Sequence, residues 1–302
     1  MSDIKLFQID GNQVRELQGG PTTLEKSLQT LIEQNLENLL GVRFLASEHT
    51  TGKTHGGRID TLGLDENGCP VIIEYKRAIN ENVINQGLFY LDWLMDHKGE
   101  LTLLVQKVLG AEAAESIEWS SPRLLCIAGD FTKYDEHAVQ QIKRNIELLR
   151  YRKYDAGLLL LELVNATFPE AEPTETVGGP KPAYSVFEEK LAKSSNDLKN
   201  LYADLAAYMH ALGDDIQVKT LKYYVAFKRL RNFACVEVYP QSNKLVVYIQ
   251  LNPDKIAYES SFTRDVSKTG HYGTGGVEIT IHSLNDLEKA KPLIMASYEG
   301  VG

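Results

Sequence analysis

Apolar and polar positions change period several times along the 302-residue chain, and each change predicts an element. Alternation over Ile4 to Leu17, broken at Asp10-Gly11-Asn12, predicts a short hairpin. The spacing Leu24, Leu28, Leu31, Ile32, Leu36, Leu39 predicts one amphipathic helix, opened by Thr23 as N-cap and ended by Gly41. Val42 to Ala46 reads as a strand leading to a polar loop from Thr50 to Gly57. Two β-rich runs, Arg58 to Asp65 and Cys69 to Lys76, flank Glu66-Asn67-Gly68, and Asn-Gly between such runs signals a hairpin. A helix from Asn80-Glu81-Asn82 to about Lys98 follows, with Gln86, Tyr90, Trp93 and His97 on one face. Leu101 to Leu109 and Glu112 to Trp119 look helical around Gly110, and Arg123 to Gly129 reads as a buried strand. Val139, Ile142, Ile146 and Leu149 predict a helix from Asp135 to about Arg150, and Ala156 to Val164 a further strand. Strands interleaved with helices predict an α/β domain with a mixed sheet over residues 1–168.

Residues 169–183 hold four prolines and two glycines with little apolar content, the composition of a linker. Residues 184–302 then read as a smaller α+β domain. Helices are expected over Val186–Ala192 and Asn196–Leu212, and strands near Tyr223–Lys228, Phe233–Tyr239, Leu245–Leu251 and Val277–His282. A last helix starts at Ser283, with Asp286 in capping-box position. The loop Gly270 to Gly276 leads into a strand rather than a helix, which removes the helix-dipole route to phosphate binding.

Composition narrows the class. Hydrophobic residues at 43% and charged residues at 24% are ordinary for a globular protein. Cys69, Cys126 and Cys235 are scattered and form no C-x-x-C pair, so a disulfide framework or zinc site is not expected and a reducing, cytoplasmic setting is. The opening Met-Ser-Asp-Ile-Lys-Leu lacks the apolar core of a leader, and no apolar run approaches the ~20 residues of a membrane span. A net charge of −9 argues against coating nucleic acid by bulk attraction. The acidity lies in the first half, where 17 Lys and Arg face 25 Asp and Glu up to Glu170.

The candidate chemistry lies in the hairpin. Ile72, Glu74 and Lys76 share one strand face. A three-residue loop with Gly68 left-handed pairs Asp60 with Glu74, whereas a two-residue loop would set Asp60 opposite Tyr75, on the other face. In the first register two carboxylates and an ammonium converge. Like charges directly opposite cost roughly 0.2–1 kcal/mol, and a divalent cation with oxygen ligands relieves that cost.

Asp, hairpin and Glu-x-Lys at the end of a hydrophobic strand resemble the PD-(D/E)XK nuclease superfamily, with Asp60, Glu74 and Lys76 on its signature and Ile59 where the name has proline. Gln86 and Tyr90 match the Gln-x-x-x-Tyr helix motif of its RecB-like and mismatch-directed endonuclease branches. The likeness covers roughly Leu24 to Tyr154, and Tyr184 to Gly302 resembles a DUF5655 domain. The resemblance implies a restriction-endonuclease-like fold and a metal-dependent endonuclease acting on nucleic acid, DNA by analogy. Magnesium or manganese would be held by Asp60, Glu74, the Tyr75 carbonyl and Glu33 from the first helix. Lys76 would orient or deprotonate water, and Gln86 would complete the site. Candidate nucleic-acid contacts are Lys53, His55 and Arg58 in and beside the glycine loop, Tyr90, and the basic run Lys143, Arg144 and Arg150. A homodimer stays open and no membrane partner is implied. The alternative is a binding module that keeps a nuclease fold without catalysis.

Overall fold

The computed structural model describes residues 4–21, 25–52, 56–76, 83–167 and 186–301. They fall into two compact units, Met1–Glu172 and Pro173–Gly302.

The first unit opens with strands β1 (Leu6–Asp10) and β2 (Gln13–Leu17), a separate two-stranded ribbon whose Phe7, Ile9 and Val14 are exposed. Short β3 (Gly19–Gly20), helices α1 (Glu25–Gln34) and α2 (Leu36–Leu40), and strands β4 (Val42–Thr50), β5 (Arg58–Asp65) and β6 (Pro70–Lys76) follow. The single helix expected over 23–39 breaks at Asn35, whose φ of −128° leaves the helical region; Thr23, its expected cap, lies outside the described residues. Gly41 ends α2 left-handed, at φ 63°. Then come α3 (Val83–Asp96), α4 (Lys98–Leu109), α5 (Ala111–Glu115), β7 (Arg123–Ala128), α6 (Lys133–Gln140), β8 (Asn145–Tyr154) and β9 (Leu158–Thr167).

The seven-stranded sheet runs β3-β8-β7-β6-β5-β4 with β9 also on β8. It is mixed: β6, β7 and β8 are parallel, and the other pairings antiparallel. Leu62, Leu64 and Ile72 pack into a core with Leu91 and Leu94 of α3 and Leu101 of α4, while α1 lies on the opposite face of β5 and β6.

The helix expected from Asp135 to Arg150 is a correction. Helix α6 stops at Gln140, and Asn145 onward is the fully paired strand β8. Ile146 and Leu149 fit a helical spacing, but Asn145 to Tyr151 are all buried, and a strand between two neighbours satisfies their backbone on both sides. Arg150 is therefore no surface cation: it is 3% exposed and bonded to Asp130 at 2.8 Å and Glu162 at 3.0 Å.

The turn between β5 and β6 sets the register. The Asp65 carboxylate accepts from the N–H groups of Asn67 and Cys69, Gly68 N–H donates to the Asp65 carbonyl, and Gly68 sits at φ +77°. A side chain at Gly68 would be strained there and would meet the Ser116 carbonyl at 2.9 Å. The loop thus spans Glu66 to Gly68, and the ladder pairs Thr61 with Ile73.

The second unit holds α7 (Val186–Ala192), α8 (Asn196–His210) and strands β10 (Gln217–Thr220), β11 (Val225–Lys228), β12 (Asn232–Tyr239), β13 (Lys244–Ile249), β14 (Thr263–Asp265) and β15 (Val277–Ile281), then α9 (Leu284–Gly300). Its antiparallel sheet has the order β10-β11-β12-β13-β15-β14. Strands β10 and β14 and the end of α8 at His210 depart from the sequence reading. One face buries Val236, Val247 and Ile279 against Leu205 of α8 and Ile294 of α9. Among the described residues no helix is long and apolar enough to cross a membrane.

Candidate active site

The site lies where β5 and β6 part. Paired residues end at Thr61 and Ile73, and one step further, in the register Asp60 opposite Glu74, side chains replace the backbone ladder. Asp60 N–H donates to Glu74 Oε1 at 3.2 Å, and Tyr75 N–H donates to Asp60 Oδ2 at 3.1 Å. Each carboxylate thus satisfies an amide on the other strand. Meanwhile β6 continues along β7 as far as Lys76, so Glu74 is covered on that side and wholly buried.

Burial dominates the electrostatics. It pushes the Glu74 carboxyl up to about 9, with the Asp60 charge adding to the rise and the Asp60 N–H and Lys76 opposing it. Burial also raises the Asp60 carboxyl, against the pull of the Tyr75 N–H and Lys76. Among the described residues Glu74 Oε2 has no hydrogen-bond partner. A buried carboxylate atom left open costs stability unless a proton or a cation meets it. Lys76 Nζ, on the same strand face, lies 4.0 Å from Glu25 Oε1 at the start of α1.

Glu33 takes another place than the one expected. Its carboxylate accepts from Thr61 Oγ1 at 2.6 Å and from Gln29 Nε2 at 3.0 Å. Thr61 alternates with Asp60 along β5, so Glu33 serves the α1 face, beside Tyr75. The acids felt by the pair are Glu48 at Asp60 and Glu25 at Glu74.

Gln29, which the sequence reading passed over, is 4% exposed and donates to the Asp60 carbonyl at 2.7 Å and to Ser47. Its signal was an amide inside a leucine stripe. Glu48 holds φ +55°, rare for a non-glycine residue, and its carboxylate pairs with Lys26 at 2.8 Å and with Arg58.

Tyr90 is buried, and its hydroxyl accepts from the Arg58 N–H at 3.1 Å and from Gln86 Nε2 at 3.0 Å. Its ring lies against Gly57, where a Cβ would approach Cε1 to 2.4 Å. Gln86 and Tyr90 therefore fix the entry of β5, two residues before Asp60. Exposed Lys143 and Arg144 sit in the turn before β8. Lys53 and His55 lie outside the described residues. Among the described residues no group of three or more His, Cys, Asp or Glu side chains is arranged to hold a metal ion.

The first unit is thus an α/β layer around a mixed sheet, with a buried and a half-buried carboxylate at a strand fork. Residues 187–300 of the second match the family described as "Domain of unknown function (DUF5655)". The whole chain is similar to an "Uncharacterized protein" of Haemophilus influenzae, 29% identical over 301 residues that cover 96% of this chain and 98% of the relative. A solved structure described as "Structure of EndoMS-dsDNA2 complex" aligns at 19% identity and a TM-score of 0.26, over 47% of this chain and 49% of that one.

Proposed function

We propose that the first unit is a metal-dependent nuclease that hydrolyses phosphodiester bonds, with DNA as substrate. The observation that carries this reading is the fully buried Glu74 facing Asp60 with Glu74 Oε2 unpartnered. Two carboxylates forced together without an inserted guanidinium suit a hard divalent cation, and the donor set is all oxygen. Magnesium or manganese fits Asp60, Glu74 and the Tyr75 carbonyl, with water completing the shell. When bound it would lower the pKa of water and offset charge on the phosphoryl group. This chain's own residues do the rest. Asp60 and Glu74 hold the cation, Gln29 fixes the Asp60 backbone, and Lys76 orients the attacking water or takes its proton. Tyr90 and Gln86 hold β5 in line. Arg58, Lys143 and Arg144 remain exposed for phosphate contacts.

Purified full-length protein incubated with single- and double-stranded DNA and with RNA, in magnesium or manganese against chelator, tests the reading. The parent cuts DNA only with metal. Asp60→Ala loses both cleavage and manganese binding by calorimetry, whereas Lys76→Ala loses cleavage and keeps binding. If Lys76→Ala cuts as fast as the parent, Lys76 has no catalytic role. A parent that cuts no polymer with either metal overturns the proposal, and DNA bound but uncut points to the binding-module alternative.

A further inference from the structure

The second unit gives one sheet face to its helices and keeps polar chemistry on the other. On that face Glu237 stands opposite Val246, Tyr239 opposite Lys244, and Tyr248 opposite Glu278. The glycine-rich stretch between β14 and β15 crosses it and is held by two ring stacks. His271 lies on Tyr248 with centroids 4.2 Å and planes 9° apart, and Tyr272 lies on Tyr223 at 4.2 Å. Gly273, at φ +84°, presses the stretch onto Cys235, where a Cβ would meet the cysteine Cβ at 2.6 Å. Between stretch and strands remains a cavity of about 340 Å³, within the range of small-molecule sites.

Its lining combines three kinds of group. Glu237, 2% exposed, accepts from the Tyr239 hydroxyl at 2.8 Å, and Glu278, 9% exposed, meets Arg264 at 2.6 Å. Flat rings come from Tyr239, Tyr272 and the His271–Tyr248 stack, and Tyr272 keeps about half its surface open, at 51%. Lys244 and Arg264 bring positive charge to the same cavity. Buried carboxylates accept the N–H donors of a base edge, rings stack on its face, and a lysine or arginine takes phosphate. A simple cation suits the lining less well, because Arg264 already meets Glu278 and Lys190 acts on Glu237, while Lys244 adds a further positive charge. The ring of Tyr239 also faces ammonium groups already, Lys190 at 5.1 Å and Lys244 at 5.6 Å.

We propose that this cavity binds one nucleotide unit, its base between the glycine-rich stretch and the sheet beside Glu237, its phosphate toward Lys244 and Arg264. The unit comes either as a free mononucleotide or as an unstacked nucleotide of a single strand. The proposal uses no residue of the first unit.

The test is calorimetric titration of the full chain, in chelator, with AMP, GMP, CMP and TMP, and separately with a short single-stranded deoxyoligonucleotide. The parent binds at least one mononucleotide or the oligonucleotide. Tighter binding of the mononucleotide assigns the free source, and tighter binding of the oligonucleotide the strand. Tyr272→Ala, at a half-exposed position, and Glu237→Gln each weaken binding by about tenfold or more, the loss expected of one stacking or base-edge contact. Asp60→Asn leaves it unchanged. The proposal is overturned if the parent binds none of these probes, if binding survives both cavity substitutions, or if Asp60→Asn removes it equally.

Discussion

Two acid clusters, one at each end of the β5–β6 hairpin, solve the same problem in opposite ways. At the turn end, Asp65 and Glu147 surround Arg123, whose guanidinium bonds Glu147 at 2.8 and 3.0 Å and Asp65 at 3.0 Å. Burial alone would lower the Arg123 pKa, but Glu147 and Asp65 reverse this and hold it up, so the charge stays. At the open end, among the described residues, no guanidinium stands between Asp60 and Glu74 and Glu74 Oε2 lacks a hydrogen-bond partner, and burial drives both carboxyl groups up against the pull of Lys76. A cluster that serves the fold carries its own counter-charge. One that leaves the counter-charge to be supplied costs stability, and that cost is the mark of a site.

Removing the built-in cation is the most damaging way to erase the contrast. Arg123→Leu removes the cation from two buried carboxylates and should cost about 3–5 kcal/mol, read by urea denaturation. Opposite in sign is the effect at the open end. Glu74 titrates at about 9 when folded and near about 4.3 when unfolded, so the folded protein keeps the extra proton between those values. The contribution of Glu74 to stability is full below about pH 4 and falls as pH rises toward about 9, by up to about 1.4 kcal/mol per unit. Glu74→Gln, which needs no proton, should flatten that fall in divalent-free melts between pH 5 and 9. A slope unchanged in the variant would sink this account of the pair. Smallest is Tyr90→Phe, which leaves the Arg58 N–H and Gln86 amide without their acceptor, at about 0.5–1.5 kcal/mol and with the pH slope preserved.

The two clusters also differ in how far the sequence exposed them. The Asp60 and Glu74 register was readable because a left-handed glycine and a period of two leave few options. Arg123 and Arg150 were read otherwise, one within a plain apolar strand and the other as a surface cation, because their carboxylate partners lie 20 or more positions away or across strands. Strand β8 was misread for a related reason: Ile142, Ile146 and Leu149 fit both a helix face and a buried strand. The first helix showed its leucine stripe, but which of its polar residues touches the site depends on its rotation over the sheet. Glu33 turned to Thr61, while Gln29 reached Asp60. In the second unit the elements were legible except β10 and β14, and the cavity was not, since it forms only when the glycine-rich stretch folds back over β12 and β13.

Surface loops ordinarily tolerate insertions and deletions better than substitutions in the core. The Glu66–Gly68 turn inverts that expectation. Because side chains alternate with period two, a change of turn length that passes into the ladder as a one-residue slip would set Thr61 opposite Glu74 and turn Asp60 to the α1 face. Every residue of the site would still be present in the chain. The register that this turn sets is thus as much a part of the candidate site as its carboxylates.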